Sequence, residues 1–177
     1  MSLGSGAMPT LRFVLNGVQA VSVCPADRRL AQILRDEHGL TSARMACGIG
    51  RCGACMVLWN GRPVNACLVM AWQIDGAQIV TAEGLDTIPQ ARIVKTALAE
   101  ENAFQCGYCA PGFLVTLTAL LCERARVGEP DIRRALEGNI CRCTGYHSII
   151  RGALRAAEML AEQPAMTFQC RRNCNAN

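Results

Sequence analysis

The sequence predicts an α+β chain, with a β-rich first half that carries one helix and a second half made of four helices. Three observations lead there. Apolar residues alternate around two Asn-Gly pairs, Asn16-Gly17 and Asn60-Gly61; beyond Gly84 the apolar residues recur at helical spacing; and eight of the 177-residue chain's twelve cysteines form two tight groups, one in each half.

From Leu11 to Val23 the apolar alternation brackets Asn16-Gly17, a pair that tolerates the positive φ of a two-residue turn, so a hairpin opens the chain. Pro25 and Asp27 precede Leu30, Ile33 and Leu34. Asp27 is the expected N-cap and Gly39 the stop of a helix of about three turns. Residues 56–59 and 63–69 flank the second Asn-Gly turn, and residues 78–81 give a further short strand. Strand, strand and helix are the opening of a ferredoxin-like β-grasp fold, with the first cysteine group between the helix and the second hairpin.

In the second half, Pro89 helps to start a helix whose face carries Ile88, Ile93, Val94, Ala97 and Leu98. Pro111 opens another through Phe113, Leu114, Leu117, Leu120 and Leu121. Pro130 and Asp131 open a short third one through Ile132 and Leu136, stopped by Gly138, and the fourth runs from about Tyr146 to Leu160. Short polar connections between four helices imply a compact four-helix bundle. The expected division is residues 1–8 as an N-terminal extension or cloning scar, 9–84 as the β-grasp domain, 85–163 as the helical domain and 164–177 as a polar tail.

Cys47, Cys52, Cys55 and Cys67 follow the C-x4-C-x2-C spacing, with a later fourth cysteine, of a plant-type [2Fe–2S] site. The loop CGIGRCGAC supplies Gly48, Gly50 and Gly53, whose small size lets backbone N–H groups wrap a sulfur-bearing cluster. Zinc ribbons instead present two C-x2-C knuckles. Cys106, Cys109, Cys141 and Cys143 form a C-x2-C and a C-x-C that two separate segments must bring together; this spacing alone suits either a cluster or a zinc ion on four thiolates. Close pairs without a secretory leader are ligand spacings rather than disulfide spacings. The two pairs of this second group sit at predicted helix starts, one just before Pro111 and one just before Tyr146, where unpaired N–H groups favour bound negative charge.

Composition excludes several functions. A net charge of +4 without a run of like charges gives no nucleic-acid footprint. No stretch approaches the roughly 20 apolar residues of a membrane span, and the first ten residues lack a signal peptide's basic and apolar regions, so a cytoplasmic chain is expected, alone or within an exported complex facing the periplasm. No G-x-G-x-x-G opens a helix after a strand and no G-x4-G-K-[ST] occurs, so nucleotide binding is not expected. His38 and His147, the only histidines, have no Rieske spacing; His38 is expected to meet the carbonyls at its helix end and His147 to lie at the surface. Cys24 and Cys122 read as small buried hydrophobes, and Cys170 and Cys174 as thiols of the tail.

The segments ACGIGRCGAC, NAC at residues 65–67, TAEGL at 81–85, QCGYCAPGF at 105–113 and GNICRCTGY at 138–146 occur in one order. Together, over roughly residues 9–162, they resemble the iron–sulfur subunit of the molybdenum hydroxylases, the xanthine oxidase and aldehyde oxidoreductase family. That resemblance implies a second [2Fe–2S] cluster on Cys106, Cys109, Cys141 and Cys143. It also implies that Gln105 and Cys143 approach the pterin of a molybdopterin cofactor held by a separate large molybdenum subunit, with the first cluster nearest the electron exit. The implied function is an electron relay within an enzyme that oxidises aldehydes or N-heterocycles, with a flavin subunit or a cytochrome c subunit as acceptor. The alternative is a stand-alone two-cluster ferredoxin or redox sensor, in which the pterin-facing segment around Gln105 would have no use.

Overall fold

The computed structural model describes residues 8–124 and 126–163; the tail cysteines Cys170 and Cys174 lie outside the described residues. Strands β1 (Thr10–Leu15) and β2 (Val18–Val23) form the first hairpin, and β3 (Met56–Trp59) and β4 (Arg62–Asn65) the second. Both turns are Asn-Gly pairs with positive φ at both residues, Asn16 at 52° and Gly17 at 84°, Asn60 at 48° and Gly61 at 78°. This mirror-image turn matches the strands' right-handed twist and fixes the pairings Leu15 to Val18 and Trp59 to Arg62.

Strand β5 (Gln78–Val80) enters between the hairpins, parallel to β1 and antiparallel to β3, giving one five-stranded sheet in the order β2-β1-β5-β3-β4. The fourth strand is shorter than expected. It ends at Asn65, and the chain turns there so that Cys67 leaves the ladder and is buried.

The first helical segment also departs from expectation. Its α-turn, α1 (Leu30–Gln32), is preceded by Arg29 rather than Asp27 as N-cap, and it continues as a π-helical turn over Ile33–Glu37. Tertiary contacts explain the later start: the N–H groups of Leu30 and Ala31 donate to Val69 O at 2.8 Å and Ala66 O at 3.1 Å, so neighbouring backbone satisfies donors that a side-chain cap would otherwise take. Gly39, at φ 67°, ends the segment, and Leu40 N–H closes back on Leu34 O at 2.8 Å. His38 does not meet the helix-end carbonyls. Its Nε2 shares a 3.0 Å hydrogen bond with Ser22 Oγ on β2, and its ring stands edge-on to Phe13.

Four longer helices follow: α2 (Pro89–Glu100), α3 (Ala110–Glu123), α4 (Glu129–Ala135) and α5 (His147–Ala161). Helix α2 packs on α3 and α5, and α4 packs on the same two. Among the described residues no helix is long and apolar enough to cross a membrane.

One apolar core lies under the sheet around Phe13, Leu30, Ile33, Leu34 and Ile79; a second lies among the helices around Phe113, Leu117, Ile132 and Ile149. A third cluster, formed by Met56 and Leu58 of β3 with Leu85, Ile88, Ala91 and Val115, joins the two. Strand β3 is therefore buried on both faces, which explains its uninterrupted apolar run.

Candidate metal centres

The structure gathers the first four cysteines around the loop between the π-helical turn and β3. The thiols of Cys47 and Cys52 hydrogen-bond each other, as do those of Cys55 and Cys67. Gly48, Gly50 and Gly53 all take positive φ. At Gly50 the need is also spatial, because a Cβ there would lie 2.3 Å from Leu68 Cδ1. Asn65 braces the loop: its Nδ2 donates to Gly50 O at 3.1 Å, and its Oδ1 lies 3.8 Å from Cys55 Sγ.

The electrostatics divide this group into a wet edge and a dry base. The N–H of Ile49, joined by that of Arg51 at 3.3 Å, draws the Cys47 thiol down to about 6 against the opposing effect of burial. Burial pushes Cys55, deep in the pocket, up to about 12. Two more thiols beside it raise its value further, so four anions could not share this space unaided.

The second group closes between the segment before α3 and the loop before α5. Cys106 and Cys143 place their sulfurs 3.7 Å apart, and both are exposed; Cys109, the residue that caps α3, meets Cys141, and both are buried. Burial pushes Cys109 up to about 12. Burial also opposes ionisation of Cys141, but it is outweighed by the Thr144 hydroxyl, 3.1 Å from its sulfur, and by the N–H groups of Cys143 and Thr144. Its thiol is lowered.

These donor sets fit an iron–sulfur cluster. Each offers four soft sulfur ligands, and metal binding displaces the thiol protons that burial alone would retain. Among the described residues no three His, Cys, Asp or Glu side chains converge as a single ion would require. Each quartet is instead two pairs, Cys47 with Cys52 and Cys55 with Cys67, then Cys106 with Cys143 and Cys109 with Cys141. Two pairs suit two irons, each taking two thiolates.

Comparisons with known proteins find two iron–sulfur domains along the chain. Residues 13–81 match the family described as 2Fe-2S iron-sulfur cluster binding domain, and residues 81–154 match the [2Fe-2S] binding domain family. The xanthine dehydrogenase iron-sulfur-binding subunit of Escherichia coli O157:H7 is 37% identical over 147 residues, which cover 82% of this chain and 92% of that protein. The chain belongs to the iron–sulfur subunits of the molybdenum hydroxylases. The nicotinate dehydrogenase small FeS subunit of Eubacterium barkeri is 39% identical, covering 82% of this chain and 94% of that one. Among solved structures, quinoline 2-oxidoreductase from Pseudomonas putida 86 superposes with a TM-score of 0.81 at 32% identity, covering 89% of this chain and 99% of that one. This iron–sulfur subunit is thus one part of an oxidoreductase, with two 2Fe-2S binding domains.

Gln105 is exposed, as are Cys106 next to it in sequence and Cys143, whose sulfurs lie 3.7 Å apart. His147 begins α5 and is exposed.

Sequence reasoning placed Tyr146 only as a helix start, yet it organises the second group. At φ 70° its hydroxyl turns back to accept the N–H of Cys141 and donates to Asn139 O, both at 3.1 Å. The polar neighbours Thr144 and Tyr146 in CRCTGY were the available signal. Tyr146→Phe is expected to lower stability by roughly 1–3 kcal/mol, the penalty of an unpaired buried donor, which a urea titration of the cluster-loaded subunit would measure.

The two groups meet through backbone. Ile140 N–H, one residue before Cys141, donates to the carbonyl of Cys52 at 2.9 Å. Gly53 and Gly112 touch beside it: a Cβ on Gly112 would fall 2.1 Å from Gly53 O, and one on Gly53 would fall 2.5 Å from Gly138 O. Asn139 seals the junction, with its Oδ1 accepting from Thr116 Oγ1 at 3.0 Å.

Proposed function

We propose that the subunit carries electrons singly from the molybdenum centre of a large partner subunit, through two [2Fe–2S] clusters, to a flavin or cytochrome c acceptor. The observation that carries this reading is the hydrogen bond from Ile140 N–H to Cys52 O. It ties a residue next to one quartet directly to a member of the other, backbone to backbone. Each cluster, when bound, supplies a one-electron store.

The protein's own residues do the rest. Cys47, Cys52, Cys55 and Cys67 hold the first cluster; Cys106, Cys109, Cys141 and Cys143 hold the second. Burial of one pair in each quartet leaves the other pair near the surface, so electrons enter and leave over short distances. Gln105 and Cys143 form the edge facing the molybdopterin of the large subunit, where the exposed amide of Gln105 can hydrogen-bond the pterin. Residues 9–84 act as the β-grasp cluster domain and residues 85–163 as the four-helix cluster domain.

Relatives named for nicotinate and for caffeine support N-heterocycles as the substrate class, with aldehydes as the companion class from the aldehyde oxidoreductase of Megalodesulfovibrio gigas. The subunit isolated anaerobically should carry four irons and four acid-labile sulfides, with two distinct EPR signals on reduction. In the whole complex, rapid freezing after substrate addition should show the signal of the second site rising before that of the first. Stoichiometric zinc without visible absorbance would refute the assignment, and the opposite order would reverse the direction of flow.

A further inference from the structure

Each cysteine group begins with a Cys-Gly step whose glycine is left-handed, Gly48 at φ +66° and Gly107 at φ +71°. In both, an arginine from elsewhere in the chain holds that glycine's carbonyl. Arg29, the residue preceding α1, donates from Nη1 to Gly48 O at 2.6 Å. Arg44, on the approach to the first loop, reaches across to the second: its Nη1 donates to Gly107 O at 2.8 Å, and its guanidinium carbon lies 4.9 Å from the ring centroid of Tyr108.

A trans peptide is planar, with C=O and N–H pointing in opposite directions. Fixing Gly48 O therefore aims the N–H of Ile49, and fixing Gly107 O aims that of Tyr108. These are the donors that meet the leading sulfur of each group: Ile49 N–H hydrogen-bonds Cys47, and Tyr108 N lies 3.5 Å from Cys106 Sγ. Neither arginine forms an ion pair with a carboxylate among the described residues.

We propose that Arg29 and Arg44 are positioning residues for the two iron–sulfur sites, each locking one Cys-Gly peptide so that the next N–H stays on the ligand sulfur. Arg44 does this for the second site from within the first half of the chain. The inference rests on the reading of the quartets as [2Fe–2S] sites. Hydrogen bonds to sulfur and nearby positive charge both favour the reduced, more negative cluster, so each arginine raises the potential of its own site.

Redox titration of the cluster-loaded subunit, followed by EPR, tests this. In Arg44→Met, the reduced-to-oxidised ratio of the second cluster at a fixed solution potential should fall about tenfold, a shift of about 59 mV for one electron, while the first cluster stays put. Arg29→Met should do the reverse, moving the first cluster alone. Arg44→Lys, which keeps a charge and a donor, should recover most of the shift. If Arg44→Met loses its second cluster altogether, Arg44→Gln, which keeps a donor without the charge, carries the test through a fall in potential confined to the second signal, and no shift there overturns the proposal. Unmoved potentials in methionine variants with full iron, or equal shifts of both clusters, also overturn it while leaving the functional reading intact. A parent subunit without iron overturns both.

Discussion

Gly112→Ala is expected to destabilise the subunit by about 1–3 kcal/mol, the usual cost of forcing a methyl group into a filled space. The contact decides the sign. An alanine in place of a helical glycine otherwise gains up to about 1 kcal/mol, but here the new Cβ would meet the Gly53 carbonyl oxygen at 2.1 Å. A backbone oxygen cannot rotate away as a side chain can, so either α3 shifts or the first cysteine loop does. Thermal unfolding of the cluster-loaded subunit measures the loss, and a midpoint equal to or above the parent's would show that the two loops are not in contact there. The same displacement should weaken the magnetic coupling between the two reduced clusters in EPR.

Cys67→Ala should halve the metal content, from four irons and four sulfides to about two of each, by taking one of four thiolates from the first site. Cys67 is 1% exposed and belongs to the core under the sheet, whereas Cys109 and Cys141 belong to the core among the helices. Loss of the first cluster should therefore leave the second EPR signal in place. Loss of both from a chain that still folds would mean that the shared cluster around Leu58, Leu85 and Val115 transmits the damage. Iron and sulfide analysis beside EPR separates these outcomes.

Much of this was legible because the informative residues act locally. Asn-Gly turns set hairpin register within a few residues, and prolines and glycines mark helix ends through their own φ. The cysteine spacings were legible for the same reason. What the sequence concealed depends on distant contacts. Asp27 looked like a helix cap, but Leu30 and Ala31 donate to carbonyls of a later segment, and no pattern around Asp27 reports that. His38 was drawn from its helix end by a hydroxyl on another strand. Nothing in the sequence marks Arg29 or Arg44, since their acceptors are backbone carbonyls far along the chain.

The junction of Cys52, Gly53, Gly112 and Ile140 bears on the order in which the chain matures during synthesis. All four cysteines of the first group have been made once Cys67 is added, and they lie within one short stretch. The second group needs Cys141 and Cys143, from the far end of the helical half, to return to Cys106 and Cys109. Contacts between such distant segments pay a larger loop-closure entropy and form later. Ribosomal order and chain entropy thus agree: the first site can be assembled first, and its finished loop then presents the Cys52 carbonyl as a template on which the second site closes.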